Sequence, residues 1–226
     1  MIKAKYVNVP LFVLLSVVTG LVHAVNLSGP SDRYEEWEFY FKNQYTNSES
    51  IDFDGGAQAS LNSSWNWGFG FGYNLDAHWA LNFDFAWKDS GYAGTRIDDT
   101  GSPEKVSGRL YSNSFIMSGI YHFSEKRFTP FVGASFGWTY IDSNIPTGEP
   151  PKTVCWWDPW WGYVCDSYLP TRTSTEVNYG LTAGLRLEVK SNIYFKLSAA
   201  RQWIDITSAS STPDFVIYRF DVGFMF

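Results

Sequence analysis

The two cysteines are the most reactive side chains of this chain, and they lie close together. Cys155 and Cys165 bracket the stretch W-W-D-P-W-W-G-Y-V. Two nearby cysteines in an exported chain are expected to form one disulfide, and two lone thiolates make an incomplete metal site. We therefore predict a Cys155–Cys165 disulfide that closes a small loop.

Aromatic side chains fill the stretch between these cysteines. Trp is costly to leave in water, and it is a common anchor at interfaces between molecules. The aromatic side chains therefore either pack on neighbouring loops or lipid, or form a surface that recognises a partner. The residues concerned are Trp156, Trp157, Trp160, Trp161 and Tyr163.

The N-terminus predicts export. Lys3 and Lys5 precede an apolar run over Val9–Val18, and Val22-His23-Ala24 supplies small residues for cleavage. The run is too short to span a bilayer, so it indicates a secretory signal peptide over residues 1–24 and one domain over residues 25–226. The chain has 17 basic and 23 acidic residues. This acidic balance argues against nucleic acid as a partner, because there is no basic stripe to neutralise phosphates.

The C-terminal stretch alternates with a period of two. Every second residue from Val216 to Phe226 is apolar, whereas Arg219 and Asp221 fall on the opposite face. This pattern predicts a β-strand with two unlike faces. The same alternation recurs along the chain and predicts eight strands in all. They cover Tyr34–Thr46, Gln58–Asn74, His78–Lys88, Arg109–Phe123, Phe131–Ile141, Ser174–Val189, Ile193–Ile204 and Asp214–Phe226.

The predicted connections alternate in length. Those after the even-numbered strands are short turns, and those after the odd-numbered strands are longer loops. This alternation places both termini at the end that carries the short turns. The turns are Leu75–Ala77, Ser124–Pro130 and Lys190–Asn192, and the loops are Asn47–Ala57, Asp89–Gly108, Asp142–Thr173 and Asp205–Pro213.

The mature chain resembles the small outer-membrane β-barrel superfamily that includes OmpA, OmpX and OmpW. The Gly-rich hairpin Gly68–Phe85 and the closing strand with its terminal Phe226 carry this resemblance. It implies an all-β fold, an eight-stranded antiparallel up-and-down transmembrane β-barrel in the bacterial outer membrane, with both termini periplasmic. It also implies a monomer that contacts lipid and lipopolysaccharide, and a role for Phe226 as a signal to the barrel-assembly machinery.

The polar faces of the predicted strands carry Gly, Ser and charged residues, which suits a narrow lumen. A soluble lipocalin-like barrel would instead place its apolar faces inside. The inward charges are either a network of ion pairs that fills the barrel or a gated polar path, and unpaired charges in a confined lumen would be costly. They are Glu36, Glu38, Lys42, Asp84, Lys88, Arg186, Glu188, Lys196, Arg219 and Asp221.

No catalytic, cofactor or metal-binding pattern is evident. Barrel enzymes of the outer membrane generally place a His with a Ser or Asp near the outer rim. His78 and His122 instead border predicted periplasmic turns, and His23 leaves with the signal peptide. We therefore expect a protein that is not an enzyme.

Two functions remain open. The first is a structural or surface-interaction role, in envelope integrity, adhesion or contact with lipopolysaccharide. The alternative is an OmpW-like passage for small hydrophobic molecules with a lateral exit through the wall. An apolar pocket at the outer end of the lumen, around Ile116, Ile120 and Ile217, would favour the alternative.

Overall fold

The computed structural model describes residues 27–54, 56–97, 102–147 and 149–226, and all regular elements in these ranges are β-strands. None of these residues forms a helix long and apolar enough to cross a membrane. In chain order the strands are β1 (Trp37–Thr46), β2 (Glu49–Asp52), β3 (Gln58–Leu61), β4 (Ser64–Asn74), β5 (Trp79–Ile97), β6 (Pro103–His122), β7 (Phe128–Pro146), β8 (Lys152–Asp158), β9 (Gly162–Tyr168), β10 (Thr171–Lys190), β11 (Ile193–Asp205) and β12 (Asp214–Met225).

Eight of these strands close into a barrel. The order around the wall is β1, β4, β5, β6, β7, β10, β11 and β12, and each neighbouring pair is antiparallel. The ring closes between β12 and β1, where the backbones of Trp37 and Phe226 each donate a hydrogen bond to the other at 3.0 Å. The predicted eight-stranded up-and-down barrel is confirmed.

Side chains alternate between the lumen and the outside along each wall strand. In β1, Glu38, Tyr40 and Lys42 are buried inside, whereas Trp37 and Phe41 are exposed on the outside. The remaining wall strands follow the same pattern over their central parts, so the large apolar side chains form a continuous outer belt. The assignment of faces made from the sequence is confirmed.

Aromatic pairs border the outer belt at both ends. Near the short turns, Trp79 and Tyr121 pack with their ring centroids 5.0 Å apart. Towards the long loops, Trp67 stacks on Trp87 at 4.7 Å, and Tyr179 stacks on Trp203 at 5.6 Å. Two girdles of this kind are typical of barrels that cross a membrane, because Trp and Tyr have an apolar ring and a polar tip.

Glycines on the inner face make room for two buried tyrosines. A Cβ atom at Gly70 would collide with the ring of Tyr40, and one at Gly223 would collide with the ring of Tyr194. The Gly-rich character of the inner face therefore has a steric cause, since the lumen of an eight-stranded barrel barely accommodates its own side chains.

The short turns lie at one end of the barrel together with the start of β1 and the end of β12, and we call this the turn end. The opposite end is the loop end. At the turn end Asp76 organises the connection between β4 and β5 by accepting hydrogen bonds from the backbone N–H groups of His78 and Trp79, both at 2.7 Å. These hydrogen bonds, first that from Trp79, hold the pKa of Asp76 below its usual range.

At the loop end, strand pairing extends further than the sequence predicted. The loop assigned to Asp89–Gly108 is largely β-structure, because β5 and β6 stay paired as far as Ile97 and Pro103. In the same way β7 and β10 pair out to Pro146 and Thr171. Alternation in polarity disappears where both faces meet water, but the backbone hydrogen bonds continue, so the periodic pattern underestimates strand length.

The second predicted strand, Gln58–Asn74, is wrong as a single element. It is interrupted at residues 62–63, and its first part forms β3, which pairs with β2 and β5. The hairpin of β2 and β3 therefore adds to the loop end of the wall beside β5. The predicted signal peptide lies within residues 1–26, which are outside the described residues.

We expect an arginine on the outer belt to destabilise the barrel in lipid. Leu185 is exposed on the belt opposite Leu197 of β11. Leu185→Arg should lower the free energy of unfolding in lipid vesicles by roughly 2–4 kcal/mol, the cost of a charge near the bilayer midplane. Urea titration of the reconstituted protein measures this cost.

Leu169→Arg is the matched control, because Leu169 is exposed between β9 and β10, beyond the barrel wall. It should leave the free energy of unfolding nearly unchanged. Equal effects of the two substitutions would contradict the assignment of the belt to lipid.

Candidate functional site

The lumen near the turn end is filled by a cluster of buried charges. We call Arg33, Glu38, Arg186, Glu188 and Lys196 the lumen charge cluster. Arg186 joins two carboxylates, with Nη1 2.5 Å from Glu38 Oε1 and Nε 2.9 Å from Glu188 Oε1. Lys196 Nζ lies 3.1 Å from Glu38 Oε2, and Arg33 Nη1 lies 3.2 Å from Glu188 Oε1. Because buried charges are costly unless paired, this arrangement acts as a tightly held plug.

Arg33 connects the plug to the turns. It belongs to the segment before β1 and is fully buried. Its Nε donates a hydrogen bond to the carbonyl of Ala77 at 2.7 Å, and its other nitrogens reach the carbonyls of Ser124 and Lys126. One guanidinium therefore holds two short turns and the ion cluster together.

A second group of charges lies further along the lumen. Lys42 Nζ is 2.7 Å from Asp84 Oδ1, and the hydroxyl of Tyr40 donates a hydrogen bond to the same oxygen at 2.6 Å. The cavity beside this group measures only about 20 Å³. This volume accommodates a single water molecule, so no wide channel runs through this level of the lumen.

The predicted inward charges differ in their partners. Arg219 and Asp221 face the lumen, but neither has an ion-pair partner within 4.0 Å among the described residues. Glu36 precedes β1 and is only partly buried, so it lies outside the lumen charge cluster. Lys88 lies nearer the loop end, away from these groups, in the cavity at that end.

Sequence reasoning missed three members of the lumen. They are Tyr40, Tyr194 and Arg33. The two tyrosines are buried beside the charges, and the Tyr194 ring centroid lies 4.0 Å from the guanidinium of Arg186. Counting in twos from Lys42 and from Lys196 would have placed both tyrosines inside. Arg33 had no such signal, because it precedes the first strand.

An apolar cavity occupies the loop end of the lumen. We call it the loop-end cavity, and its volume is about 540 Å³. Its buried core consists of Ile51, Leu61, Phe215 and Ile217, with Ala200 packed beside them. Further lining comes from Phe53, Tyr92, Leu110, Ile141, Ile204 and Ile206, and polar lining comes from Gln44, Thr46, Ser112, Thr139, Gln202, Lys88 and Arg172.

Two loops build the side of this cavity together. The β2–β3 hairpin contributes Ile51 and Leu61, and it is tied to the loop between β11 and β12 by backbone hydrogen bonds. Asp54 donates to Ser208 at 3.1 Å, and Ser210 donates to Asp52 at 2.8 Å. The cavity is therefore formed by the fold and does not need a ligand to shape it.

The sequence predicted a pocket at this end but named only part of its lining. Ile217 lines the cavity, as expected. Ile120 instead packs deeper in the lumen with Ala80 and Phe131, and Ile116 is buried without being part of the cavity lining. The error has a geometric cause, since β6 continues well beyond both residues towards the loop end.

Strands β8 and β9 form a separate hairpin at the loop end, which we call the Trp hairpin. Cys155 and Cys165 are directly opposite each other in it and form a disulfide. Asp158 accepts hydrogen bonds from the backbone N–H groups of Trp160 and Trp161 at 2.8 and 2.9 Å, which fixes the turn. The side chains of Trp160 and Trp161 are 87% and 80% exposed, and Trp157 and Tyr163 are also exposed.

The histidines lie at the turn end. His122 is fully buried beside Phe131. The Nδ1 atom of His78 lies 3.8 Å from Oε1 of Glu125. Within the part of the chain that the structure describes, no group of three His, Cys, Asp or Glu side chains is arranged to hold a metal ion.

Comparison with known protein families agrees with the barrel architecture. A family model described as the outer membrane protein β-barrel domain matches residues 12–226. The chain belongs to the outer membrane protein β-barrel family. No curated protein matches it in sequence.

Comparison with solved structures finds outer-membrane proteins at low sequence identity. The outer membrane protein OprG of Pseudomonas aeruginosa has a TM-score of 0.53 and 13% identity, over 87% of this chain and 99% of that one. The N-terminal β-barrel domain of OprF from the same organism has a TM-score of 0.42 and 18% identity, over 85% and 98% of the two chains. Neisserial surface protein A has a TM-score of 0.45 and 14% identity, over 87% and 97%.

The central arginine of the plug provides a test of the lumen charge cluster. Arg186→Gln leaves Glu38 and Glu188 without their shared cation. Glu38 keeps Lys196 and Glu188 keeps Arg33, but both carboxylates lose their charge-assisted contact with Arg186. We therefore expect a loss of about 1.5–3 kcal/mol in the free energy of unfolding. Guanidinium unfolding in vesicles, followed by circular dichroism, measures it.

Arg109→Gln is the control, because it removes the same charge from an exposed pair with Asp89. Water screens that pair, so a much smaller change is expected. Similar losses in the two variants would mean that the lumen charges are solvated and do not form a plug.

Proposed function

We propose that this protein binds small apolar molecules in the loop-end cavity and that the cavity opens to the cell exterior. The observation that carries the proposal is an apolar, preformed cavity of about 540 Å³ within a barrel whose other end is filled. Ligand sites for small molecules typically measure about 300–1,000 Å³ and have mostly apolar walls. Burial of an apolar ligand there gains the free energy of removing its surface from water.

The plug argues against straight passage through the barrel. A molecule moving from the cavity towards the turn end would meet Lys42, Asp84 and then the lumen charge cluster. Displacing these ion pairs with apolar groups would leave charges unpaired in a confined space. Transport of an apolar molecule therefore needs a different exit.

The wall between the cavity and lipid offers such an exit. Ala200 does not line the cavity, but it packs against the buried residues that do, and it lines a groove of about 480 Å³ on the outside of β7, β10 and β11. Its neighbours in that groove include the small residues Gly133, Ala183 and Ala199. We include lateral release through this part of the wall in the proposal, because small side chains present the least steric obstacle.

The same geometry supports a binding function over catalysis. His122 is enclosed at the turn end, and His78 lies beside a short turn. Both histidines are thus at the opposite end from the cavity that would receive a ligand. The lining of that cavity contains no histidine, cysteine or carboxylate among the described residues.

Photolabelling tests whether the cavity binds apolar molecules. A neutral alkyl diazirine added to the protein in vesicles should label peptides that contain Ile51, Leu61 and Phe215, and excess 1-octanol should compete. The variant Ile217→Trp, which places a larger side chain in the cavity, should lose most of this labelling. Mass spectrometry of the labelled peptides provides the measurement.

Leu197→Trp is the matched control, because it places the same side chain on the outer belt. It should leave cavity labelling intact. Labelling of outer-belt residues reports the lipid and should stay constant in every variant. Labelling confined to the outer belt in the wild type would refute the proposed binding site.

The Trp hairpin favours a second role in surface recognition. Its aromatic side chains are exposed to solvent on a hairpin whose turn is fixed by Asp158 and whose strands are joined by the disulfide. A preorganised loop loses little entropy on binding, and Trp side chains are typical anchors of interfaces. We propose that this hairpin binds a partner outside the cell and does not insert into the leaflet around the barrel.

Quenching of Trp fluorescence distinguishes these two positions of the hairpin. The signal assigned to the hairpin is the difference between the wild type and a variant with Trp156, Trp157, Trp160 and Trp161 replaced by Phe. It should be quenched by aqueous iodide and not by brominated lipid. Trp65→Phe is a control, since Trp65 lies on the outer belt. Quenching of the hairpin signal by brominated lipid would contradict the recognition role.

A further inference from the structure

Lys88 is a cation inside the loop-end cavity. It lies on β5 between Trp87, which faces outward, and Asp89, which pairs with Arg109 outside the lumen. The Lys88 side chain instead lines the cavity, and its Nζ is 4.6 Å from the centroid of the Phe215 ring. The ammonium is therefore held against an aromatic face at the apolar wall.

No carboxylate of the described residues neutralises Lys88. The charged groups that line the cavity in the described ranges are Lys88 and Arg172, and both are basic. The nearby Glu176 of β10 is not part of the lining, and its Oε2 accepts a hydrogen bond from Thr207 at 3.3 Å. In a chain with a net charge of −6, this local excess of positive charge has to come from the arrangement of the site.

The contrast with the rest of the lumen is informative. Lys42 and Lys196 are also buried on inner faces, but each lies within 3.1 Å of a carboxylate. Among the residues that the structure describes, Lys88 has only the weaker contact with an aromatic ring. Partial burial of an ammonium without a counter-ion is unfavourable, and an anionic group in the cavity would relieve that cost.

We propose that the loop-end cavity takes an alkyl carboxylate, with its head group paired to Lys88 and its chain against Ile51, Leu61 and Ile217. Arg172, which is exposed at the mouth, attracts the same negative charge during entry. Branched aliphatic side chains make up most of the apolar part of the lining, and they match a flexible alkyl chain. This inference rests on the proposed function and adds the substrate class to it.

Competition among three octyl compounds tests the substrate class. The protein in vesicles is photolabelled with the neutral alkyl diazirine, and octanoate, 1-octanol and octylammonium are compared as competitors at pH 7. Competitor concentrations are corrected for partition into protein-free vesicles. Octanoate should compete at about tenfold lower concentration than octanol, as expected for one charge-assisted contact, and octylammonium should compete worst.

A variant of Lys88 tests whether this side chain causes the advantage of octanoate over octanol. Lys88→Met retains the length and apolar character of the side chain, so octanol should compete as before while the advantage of octanoate disappears. Arg109→Met is the control, because Arg109 lies on the outer side of β6 and pairs with Asp89. It should retain the advantage of octanoate.

The outcomes separate this inference from the proposed function. Absence of cavity labelling by the neutral probe would overturn the proposed binding site itself. Cavity labelling with equal competition by octanoate and octanol, or an octanoate advantage that survives in Lys88→Met, would overturn the carboxylate inference and leave the apolar site in place. Labelling lost in Lys88→Met even without competitor would also overturn it, because Lys88 would then shape the cavity instead of selecting the head group.

Discussion

Every backbone group of a wall that lies in lipid has to be paired within that wall, and eight strands satisfy this requirement by closing into a ring. The mutual hydrogen bonds of Trp37 and Phe226 complete the ring. Closure at this strand number fixes a lumen that is barely wider than its own side chains. The inner face must therefore be filled, and the choice of filling at each level determines what the barrel can do.

The two ends of the lumen are filled in opposite ways. At the turn end the lumen charge cluster and two tyrosines occupy the space, with Gly70 and Gly223 providing room for the rings. At the loop end the inner face becomes more apolar, and the space between Leu61, Phe215 and Ile217 remains open. A filled turn end beside an apolar loop end supports the proposed binding of small molecules and argues against a diffusion pore.

The sequence predicted those features of this arrangement that follow from period-two alternation along the strands, and it did not predict the others. Strict alternation, as from Val216 to Phe226, predicted the number of wall strands and the direction of each face, because lipid and lumen impose opposite polarity on neighbouring residues. It could not predict the length of β5 and β6 beyond the belt, where both faces meet water. It also could not predict Arg33, whose position is set by the carbonyl groups of two turns and not by any periodicity.

For the candidate site, too, the sequence predicted one kind of feature and not another. The inward direction of Lys88, Arg186 and Ile217 follows from counting in twos along a strand. Which of these side chains contact one another cannot be derived in this way, because it depends on the register between different strands around the ring. The sequence therefore placed Lys88 in the same set as Lys42 and Lys196. The structure pairs Lys42 and Lys196 with carboxylates, whereas it places Lys88 against the ring of Phe215 at the cavity wall.

The plug also has a consequence for the order of folding. Its members are far apart in the chain, since Arg33 and Glu188 are separated by 155 residues and Lys196 and Glu38 by 158. Neither pair can form until the first and the late strands of the wall have come together. While the ring is open these charges remain hydrated, and their neutralisation coincides with closure. The ion pairs thus favour the one register in which all strands are present, and they oppose premature sealing of a shorter ring.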